Sequence, residues 1–396
     1  MRDSSSLTAL ALALLGCLAA TAPAAADFSD CIASIRPSAL AAGVSPSAFD
    51  AATQGLTPND AGGFLDTQPE FTTPVWDYLA GLVDEDRIND GRARLRENAR
   101  PLALAEKLYG VDRATIVAVW GVESDYGRAI GKRPLVQSLA TLSCEGRRQD
   151  YFRTELIAAL KIIQSGDVAA SAMVGSWAGA FGQTQFMPST FLRFAVDLDG
   201  DGRRDVVGSV PDALGSTANY LRNSGWRPGL TWGFEVTIPK DYSGPEGRKD
   251  KHPMAWWAAR GVKRVDGQPP GSDSAGLLLP AGPEGPAFLV TSNFDAIFTY
   301  NASVSYALAI AHLSDRLRGG GPFATPWPTD DMGLSRAERR ELQALLAQRG
   351  YDIGPADGAI GDKTRQAIAD VQTRAGLPTD GRPGTKLLRL LRSGQP

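Results

Sequence analysis

The chain has 396 residues, of which 43% are hydrophobic and 21% charged, so it can bury a full core, and its length indicates two or more domains. Its formal net charge of −3 gives no reason to expect a nucleic-acid partner. The only two histidines, His252 and His312, lie in no ligand-like cluster, which argues against a histidine-based zinc site or a Ser-His-Asp triad.

The N-terminus has the features of a secretion signal. The apolar run LTALALALLGCLAA follows a basic residue, and Ala24 and Ala26 form a small-residue cleavage site. We therefore predict that residues 1–26 are a signal peptide. The alternative is lipid attachment at Cys17, although Leu15 is bulky for that role.

Removal of the signal would leave one pair of cysteines, Cys31 and Cys144, in an oxidising compartment. A disulfide between them is one interpretation, and two unrelated buried thiols are the other. No other stretch of the sequence is long and apolar enough to span a membrane.

From Phe28 to about Arg318 the sequence shows mostly helical periodicity. A Gly/Pro-rich stretch between Pro228 and Phe288 interrupts this pattern and contains short strand-like runs such as WGFEVTIP and AFLVT. We therefore predict an α+β fold that is mostly α, with a small β-containing insertion.

The stretch WGVESDYG places the carboxylate of Glu123 where a helix should end. The preceding run GVDRATIVAVW predicts a helix capped by Asp112, with Ile116, Val119 and Trp120 on one face. Glu123 continues that face, so it should point toward the core, where a carboxyl group has a raised pKa and can remain protonated near neutral pH. The alternative is a glutamate that pairs with an arginine and only fixes the helix end.

Two further stretches have the composition of a sugar-binding cleft. GSWAGAFGQTQFMPST combines small residues with Gln183 and Gln185, whose amides can bond to sugar hydroxyl or amide groups. TYNASVSYA contributes Tyr300, Asn301 and Tyr306, which provide flat apolar faces and fixed polar groups.

The segment DLDGDGRRD has the spacing of an EF-hand calcium loop. Carboxylates occupy loop positions one, three, five and nine, Gly202 stands at position six, and Arg203 would offer its backbone carbonyl. Position twelve is Gly208 in place of the usual bidentate glutamate. The alternative is a solvated Asp/Gly turn. The carboxylates are Asp197, Asp199, Asp201 and Asp205.

Residues 319–333, GGGPFATPWPTDDMG, have no periodicity and predict a linker between independent domains. The module at 334–396 repeats a short motif, DGAIG and DGRPG, in which Asp357 and Asp380 are expected to cap the following helices. Three helical runs predict a three-helix unit. The module has 11 Lys/Arg against 7 Asp/Glu, and this excess of 4 positive charges suits an anionic polymer.

The module resembles the peptidoglycan-binding domain found at the ends of bacterial wall enzymes. In the larger part, residues 27–318, the motifs WGVESDYG, SWAGAFGQTQFMPS and FTYNASVSYALA resemble the membrane-bound lytic transglycosylase B family, glycoside hydrolase family 103. This resemblance implies a lysozyme-like catalytic domain that binds peptidoglycan glycan strands, with Glu123 as its catalytic residue. It implies a substrate cleft formed by Ser176, Gln185, Tyr300, Asn301 and Tyr306, and, from less distinctive stretches, by Tyr78, Arg147, Arg148 and Tyr220.

The resemblance also implies an unusual EF-hand whose last ligand lies further along the chain, at Asp212. A single calcium loop without a partner hand indicates a structural brace rather than a sensor. We expect no cofactor for the chemistry itself.

A glycosidase normally needs two carboxylates across the scissile bond. Asp125 is the only close candidate, and two positions along a helix place it roughly 200° around the axis from Glu123. The sequence therefore predicts a lytic transglycosylase in the periplasm, in which Glu123 acts as acid and then as base on the sugar's own C6 hydroxyl and forms a 1,6-anhydromuramic end. The alternatives are a hydrolytic muramidase and a non-catalytic wall-binding scaffold, and no partner among cell-wall synthases is identified.

Overall fold

The computed structural model describes residues 24–64, 69–269 and 271–394. Most of the predicted signal, including Cys17, lies outside the described residues. Within these described residues, two short 3-10 turns, Asp60–Phe64 and Ala170–Ala172, accompany fourteen helices before residue 318. These helices are α1 Ala24–Ala41, α2 Pro46–Thr53, α3 Pro69–Thr72, α4 Val75–Leu82, α5 Glu85–Glu97, α6 Ala99–Tyr109, α7 Arg113–Ser124, α8 Leu135–Cys144, α9 Gln149–Ser165, α10 Pro188–Phe194, α11 Val210–Asn223, α12 Met254–Ala258, α13 Ser292–Phe298 and α14 Val304–Leu317.

Helix α7 is the centre of the larger of two helical cores. Asp112 caps it by accepting a hydrogen bond from the Thr115 amide at 3.1 Å, as the sequence predicted. Every residue from Ala114 to Gly121 is buried, because α5, α6, α11 and α14 surround the helix. The predicted one-sided apolar face is therefore part of a helix enclosed on all sides.

The second helical core is formed by α1, α2, α8, α9 and α10. Phe28, Ile32 and Ile35 of α1 are buried in it. A disulfide joins Cys31 near the middle of α1 to Cys144 at the end of α8, across 113 residues of sequence. The N-terminal helix is thus held to the core both by apolar packing and by a covalent bond.

The larger of the two sheets lies in the Gly/Pro-rich region, as predicted, whereas a short strand pair lies outside it. A five-stranded antiparallel sheet has the strand order β4-β6-β7-β3-β5, and β1 and β2 form a separate two-stranded pair. In the central pair, Phe234 of β3 is opposite Leu289 of β7. The mostly α fold class is confirmed. The strands are β1 Arg133–Pro134, β2 Val174–Gly175, β3 Gly233–Thr237, β4 His252–Pro253, β5 Lys263–Arg264, β6 Ser274–Leu278 and β7 Ala287–Val290.

The C-terminal module contains three helices, α15 Arg336–Gln348, α16 Asp362–Arg374 and α17 Thr385–Arg392, around its own apolar core. The expected caps by Asp357 and Asp380 are not present, because α16 and α17 have no side-chain cap. Each aspartate instead closes its own turn by accepting a backbone amide two residues ahead.

The repeated turns of the module are held by two buried glutamines. Gln343 accepts the amide of Gly358 at 2.7 Å, and Gln372 accepts the amide of Gly381 at 2.9 Å. Both glycines have a positive φ, of 86° and 67°. The repeated sequence motif therefore corresponds to one repeated structural arrangement, in which a glutamine of the preceding helix accepts the amide of the glycine in the turn.

The segment 319–333 connects the two parts but is packed against the larger one. The Phe323 ring lies 3.8 Å from the ring of His312 and 4.7 Å from that of Phe288. The buried carboxylate of Glu235 in β3 accepts the amides of Ala324 and Thr325, both at 2.7 Å. Composition predicted a linker between independent domains; in the structure residues 319–333 are docked on the larger part, and we call this segment the strap.

Burial, together with the charge of Arg316, lowers the pKa of His312 to about 3, so the ring that stacks on Phe323 is neutral. Within the described residues, no helix is both long enough and apolar enough to cross a membrane.

Candidate active site

The last turn of α7 brings Glu123 into a cleft of about 560 Å³. The cleft collects most of the residues that the sequence predicted for a sugar site. Among the described residues that line it, Glu123 is the only acidic side chain. The lining residues are Glu123, Arg147, Arg148, Tyr151, Phe152, Ser176, Trp177, Ala178, Ala180, Gln185, Met187, Tyr300 and Asn301.

Tyr306 reaches Glu123 from α14 and donates its phenolic hydrogen to Oε1 of the carboxyl group. Burial, and then the nearby charge of Glu123, hold the pKa of the Tyr306 phenol well above its ordinary value. The phenol therefore keeps its proton and remains a donor. The nearby Tyr78 phenol also raises the pKa of Tyr306.

An aromatic wall of Tyr306, Tyr300 and Tyr220 backs the cleft, and of these three only Tyr300 is among the described residues that line it. The Tyr300 ring lies 6.3 Å from the Tyr306 ring and nearly parallel to it, and the Tyr220 ring packs 4.8 Å from Tyr300 at a steep angle. The Tyr300 hydroxyl donates to the carbonyl of Thr184 at 2.7 Å, which joins this wall to the loop after β2. Tyr220 donates to the carbonyl of Thr299 at 2.8 Å, so it supports the wall from behind.

The loop after β2 is shaped by Ser176 and Gln185. The Ser176 hydroxyl accepts the amide of Ala180 at 3.1 Å, and Gln185 has a positive φ of 51°. The Gln185 amide group donates to the carbonyl of Gly182 at 2.8 Å and to that of Ile130 at 3.1 Å. These contacts fix both side chains at the cleft.

Gln183, also suggested as a sugar ligand, is absent from the cleft lining. Its side chain accepts the indole hydrogen of Trp120 at 3.0 Å and donates to the carbonyl of Val207 at 3.1 Å. Gln183 is thus a bridge between α7 and the segment that follows the acidic loop. The sequence, in which a single residue separates Gln183 from Gln185, did not indicate that only Gln185 lines the cleft.

Arg147 and Arg148 contribute positive charge to the lining of the cleft. The Arg148 guanidinium lies 4.4 Å from the centre of the Tyr151 ring. Sequence reasoning missed Tyr151 and Trp177 as cleft residues. Their only signal was position, since each is adjacent to a predicted residue or within the same short run.

Asp125 is the closest acidic neighbour of Glu123 in sequence, and it lies just past the helix end. It adopts the left-handed conformation (φ 52°) as the C-cap of α7. Burial alone would raise its pKa, but a hydrogen bond from Arg128 and the charges of Arg87 and Arg336 hold the pKa of Asp125 below its ordinary value. Asp125 is therefore an ionised member of an arginine cluster.

The acidic loop brings four carboxylates together. Oxygen atoms of Asp197, Asp199, Asp201 and Asp212 lie within 4.8 Å of one another. Asp212 is fully buried and accepts the amide of Leu198 at 2.7 Å. A cluster of hard oxygen donors of this size fits a divalent cation such as calcium.

Two other residues of the loop do not add side chains to this cluster. The Arg203 guanidinium pairs with Asp201 at 3.3 Å, which leaves only its backbone carbonyl as the predicted ligand. Asp205, at loop position nine, accepts the amides of Val207 and Gly208 at 2.9 and 2.8 Å.

Comparison with known families gives two matches along the chain. Residues 27–315 match the family described as Transglycosylase SLT domain, and residues 335–391 match a peptidoglycan binding domain family. Membrane-bound lytic murein transglycosylase B of Escherichia coli (strain K12) is 34% identical over 242 residues, which are 60% of this chain and 65% of that protein. The match thus spans just under two thirds of that relative.

Two solved structures are similar over longer stretches. SltB3 from Pseudomonas aeruginosa in complex with NAG-anhNAM-pentapeptide has a TM-score of 0.74 and 48% identity, and the match covers 92% of this chain and 99% of that one. The Escherichia coli lytic transglycosylase Slt35 in complex with calcium has a TM-score of 0.64 and 29% identity, covering 74% of this chain and 93% of that one.

Proposed function

Because this chain belongs to the transglycosylase SLT family, a family of peptidoglycan-cleaving enzymes, and carries a C-terminal peptidoglycan-binding domain, we propose that it is a lytic transglycosylase with Glu123 as its single catalytic acid and base. The bond cleaved is the β-1,4 bond between N-acetylmuramic acid and N-acetylglucosamine. The observation that carries the proposal is the acidic content of the cleft, where Glu123 is the only carboxyl group among the described lining residues.

In the first step, Glu123 gives its proton to the glycosidic oxygen as the bond from that oxygen to C1 of the muramoyl residue breaks. The carboxylate that remains accepts a hydrogen bond from Tyr306, which stabilises the new charge. The same carboxylate then takes the proton of the C6 hydroxyl, whose oxygen bonds to C1. Glu123 is protonated again, and the product is a 1,6-anhydromuramic end.

The cleft residues supply binding and orientation for this sequence of steps. Tyr300 offers a ring face beside Tyr306, and Ser176 and Asn301 are polar groups of the lining that can orient the N-acetyl or hydroxyl groups of the muramoyl residue. A hydrolytic muramidase would instead need a water molecule and a second carboxylate.

The deciding experiment is digestion of purified sacculi followed by mass spectrometry of the released sugar ends. We expect anhydromuramic ends. Reducing ends would make the protein a muramidase, and no release of soluble fragments would make it a wall-binding scaffold. We propose a periplasmic location, since the predicted secretion signal and the proposed peptidoglycan substrate both point there.

Replacing Tyr306 by Phe is expected to lower kcat about 10- to 100-fold, because a hydrogen bond to a charged group contributes about 1.5–3 kcal/mol. The measurement is the rate of fragment release at saturating substrate, with circular dichroism to verify the fold. Tyr242→Phe is the matched control, since it removes a 2.7 Å tyrosyl bond to the Pro245 carbonyl in the sheet region. An equal loss of kcat in both variants would contradict a role for Tyr306 at Glu123.

We also propose that the acidic loop holds a structural calcium ion through Asp197, Asp199, Asp201 and Asp212, with the carbonyl of Arg203. Millimolar calcium is expected to raise the thermal midpoint by about 3 °C or more, because the ion removes repulsion between the carboxylates and binds only the folded state. Scanning calorimetry with and without chelator provides the measurement.

Asp201→Asn should reduce this calcium-induced shift, and the control Asp241→Asn, outside the cluster, should keep it. Absence of any shift would mean that the loop is only a turn. Loss of turnover in chelator at low temperature, with the fold intact, would instead make the ion part of the active site.

A further inference from the structure

The C-terminal module contacts the larger part through a set of arginines. Four of its basic residues, which the sequence assigned to an anionic polymer, instead reach the α4–α5 region or the end of α7. Arg339 donates to the carbonyl of Gly81 at 3.4 Å, and Arg340 pairs with Asp86 in the first turn of α5. The four residues are Arg336, Arg339, Arg340 and Arg382.

Arg336 makes the contact nearest to the catalytic centre. Its Nη2 donates to Oδ1 of Asp125 at 2.7 Å and its Nη1 donates to Oδ2 at 3.1 Å, so the guanidinium holds both carboxylate oxygens. The pair is largely shielded, with side-chain exposures of 14% for Arg336 and 19% for Asp125. Asp125 lies two residues after Glu123.

The turn that Asp125 begins is strained. Asp125 and Tyr126 are consecutive non-glycine residues with left-handed φ values of 52° and 58°. Such a pair persists only where its surroundings fix it. Tyr126 is fixed by its hydroxyl, which donates to the carbonyl of Arg87 at 2.8 Å.

The Asp125 carboxylate is fixed by three arginines. Arg87 lies 3.4 Å and Arg128 2.9 Å from its oxygens, and both belong to the larger part of the chain. Arg336 is the contribution of the module, and among the three it has the shortest contact and the bidentate one.

The helix that carries Arg336 is itself held in place. The backbone amide of Arg336 donates to the buried carboxylate of Asp84 at 3.3 Å. Ser335 and Glu338 form a capping box at the start of α15. At the other end of the interface, Arg382 binds Asp77 at the α4 helix and Asp331 in the strap. These contacts therefore hold the Arg336 guanidinium in one orientation toward Asp125.

We propose that Arg336 is a positioning residue for Glu123, so that docking of the peptidoglycan-binding module orders the turn after α7 and sets the direction of the catalytic carboxyl group. This inference rests on the function proposed above. It gives the module a role in the chemical step in addition to attachment, because a small misplacement of a catalytic group costs rate without loss of binding.

The test uses the full chain and a short soluble glycan that cannot bridge module and cleft. Arg336→Gln is expected to lower kcat about 3- to 30-fold with KM within about twofold, since geometry and not substrate contact is lost. Arg336→Lys should fall between the parent and Arg336→Gln, because a lysine keeps the charge but not the fork. Millimolar guanidinium should restore part of the kcat of Arg336→Ala.

The matched control is Arg340→Gln, which removes another ion pair of the same interface, of 40% and 42% exposure, away from Asp125. It should keep kcat within about twofold, as expected for an exposed pair. Equal kcat losses in Arg336→Gln and Arg340→Gln, an unchanged kcat in Arg336→Gln, or a rise in KM alone would overturn the proposal. Inactivity of the parent chain on sacculi would instead remove the proposed function itself.

Discussion

Glu123→Gln should reduce turnover by about 10³-fold or more, with the fold and the attachment to sacculi retained. The amide keeps the shape of the side chain and can still accept the hydrogen bond from Tyr306. It has no exchangeable acid proton, so neither the donation to the glycosidic oxygen nor the return step can occur. Release of soluble muropeptides measures the loss.

The control for this variant is Glu106→Gln, which neutralises a partly exposed carboxylate paired with Arg113 at the opposite end of α7. Its turnover should stay within about twofold of the parent. A Glu123→Gln protein that still releases fragments at a tenth of the parent rate would show that another group supplies the proton.

Replacing both Cys31 and Cys144 by Ser is expected to lower the free energy of unfolding by about 4–5 kcal/mol, because the bond closes a loop of more than a hundred residues. Without the disulfide, α1 is attached to the core only by the apolar packing of Phe28, Ile32 and Ile35. Urea unfolding under oxidising conditions gives the measurement.

Reductant supplies the internal control for the disulfide. It should weaken the parent to the level of the double variant and leave the double variant unchanged. Equal stability of parent and variant under oxidising conditions would mean that the covalent link contributes nothing beyond the apolar contacts of α1.

Local patterns predicted those features that depend on neighbours in the sequence. The Asp112 cap, the mostly α class and the position of the sheet follow from spacing and turn chemistry. The three short motifs contribute Glu123, Gln185 and Tyr300, which the fold brings to one cleft. The chemistry of the motifs thus predicted the site residues, whereas hydrophobic periodicity did not reveal that α7 is enclosed on every side.

Contacts between distant segments left no local signal. Arg336 and Asp125 are 211 positions apart, and a positive residue at the start of a helix predicts only a solvated face. Gln343 and Gln372 appear in sequence as ordinary polar residues, although each holds a glycine turn from inside the module. Helical geometry placed Asp125 away from Glu123 but gave no indication of its arginine cluster.

The attachment of the strap to Glu235 has a thermodynamic consequence for the whole chain. If residues 319–333 detached, the Glu235 carboxylate would lose the amides of Ala324 and Thr325 and remain as a buried charge without these donors. The sheet therefore loses stability when the strap leaves, and the strap carries the module. Because the strap continues into the module, we expect the stabilities of the two family segments to be coupled, although their sequences suggest separable parts.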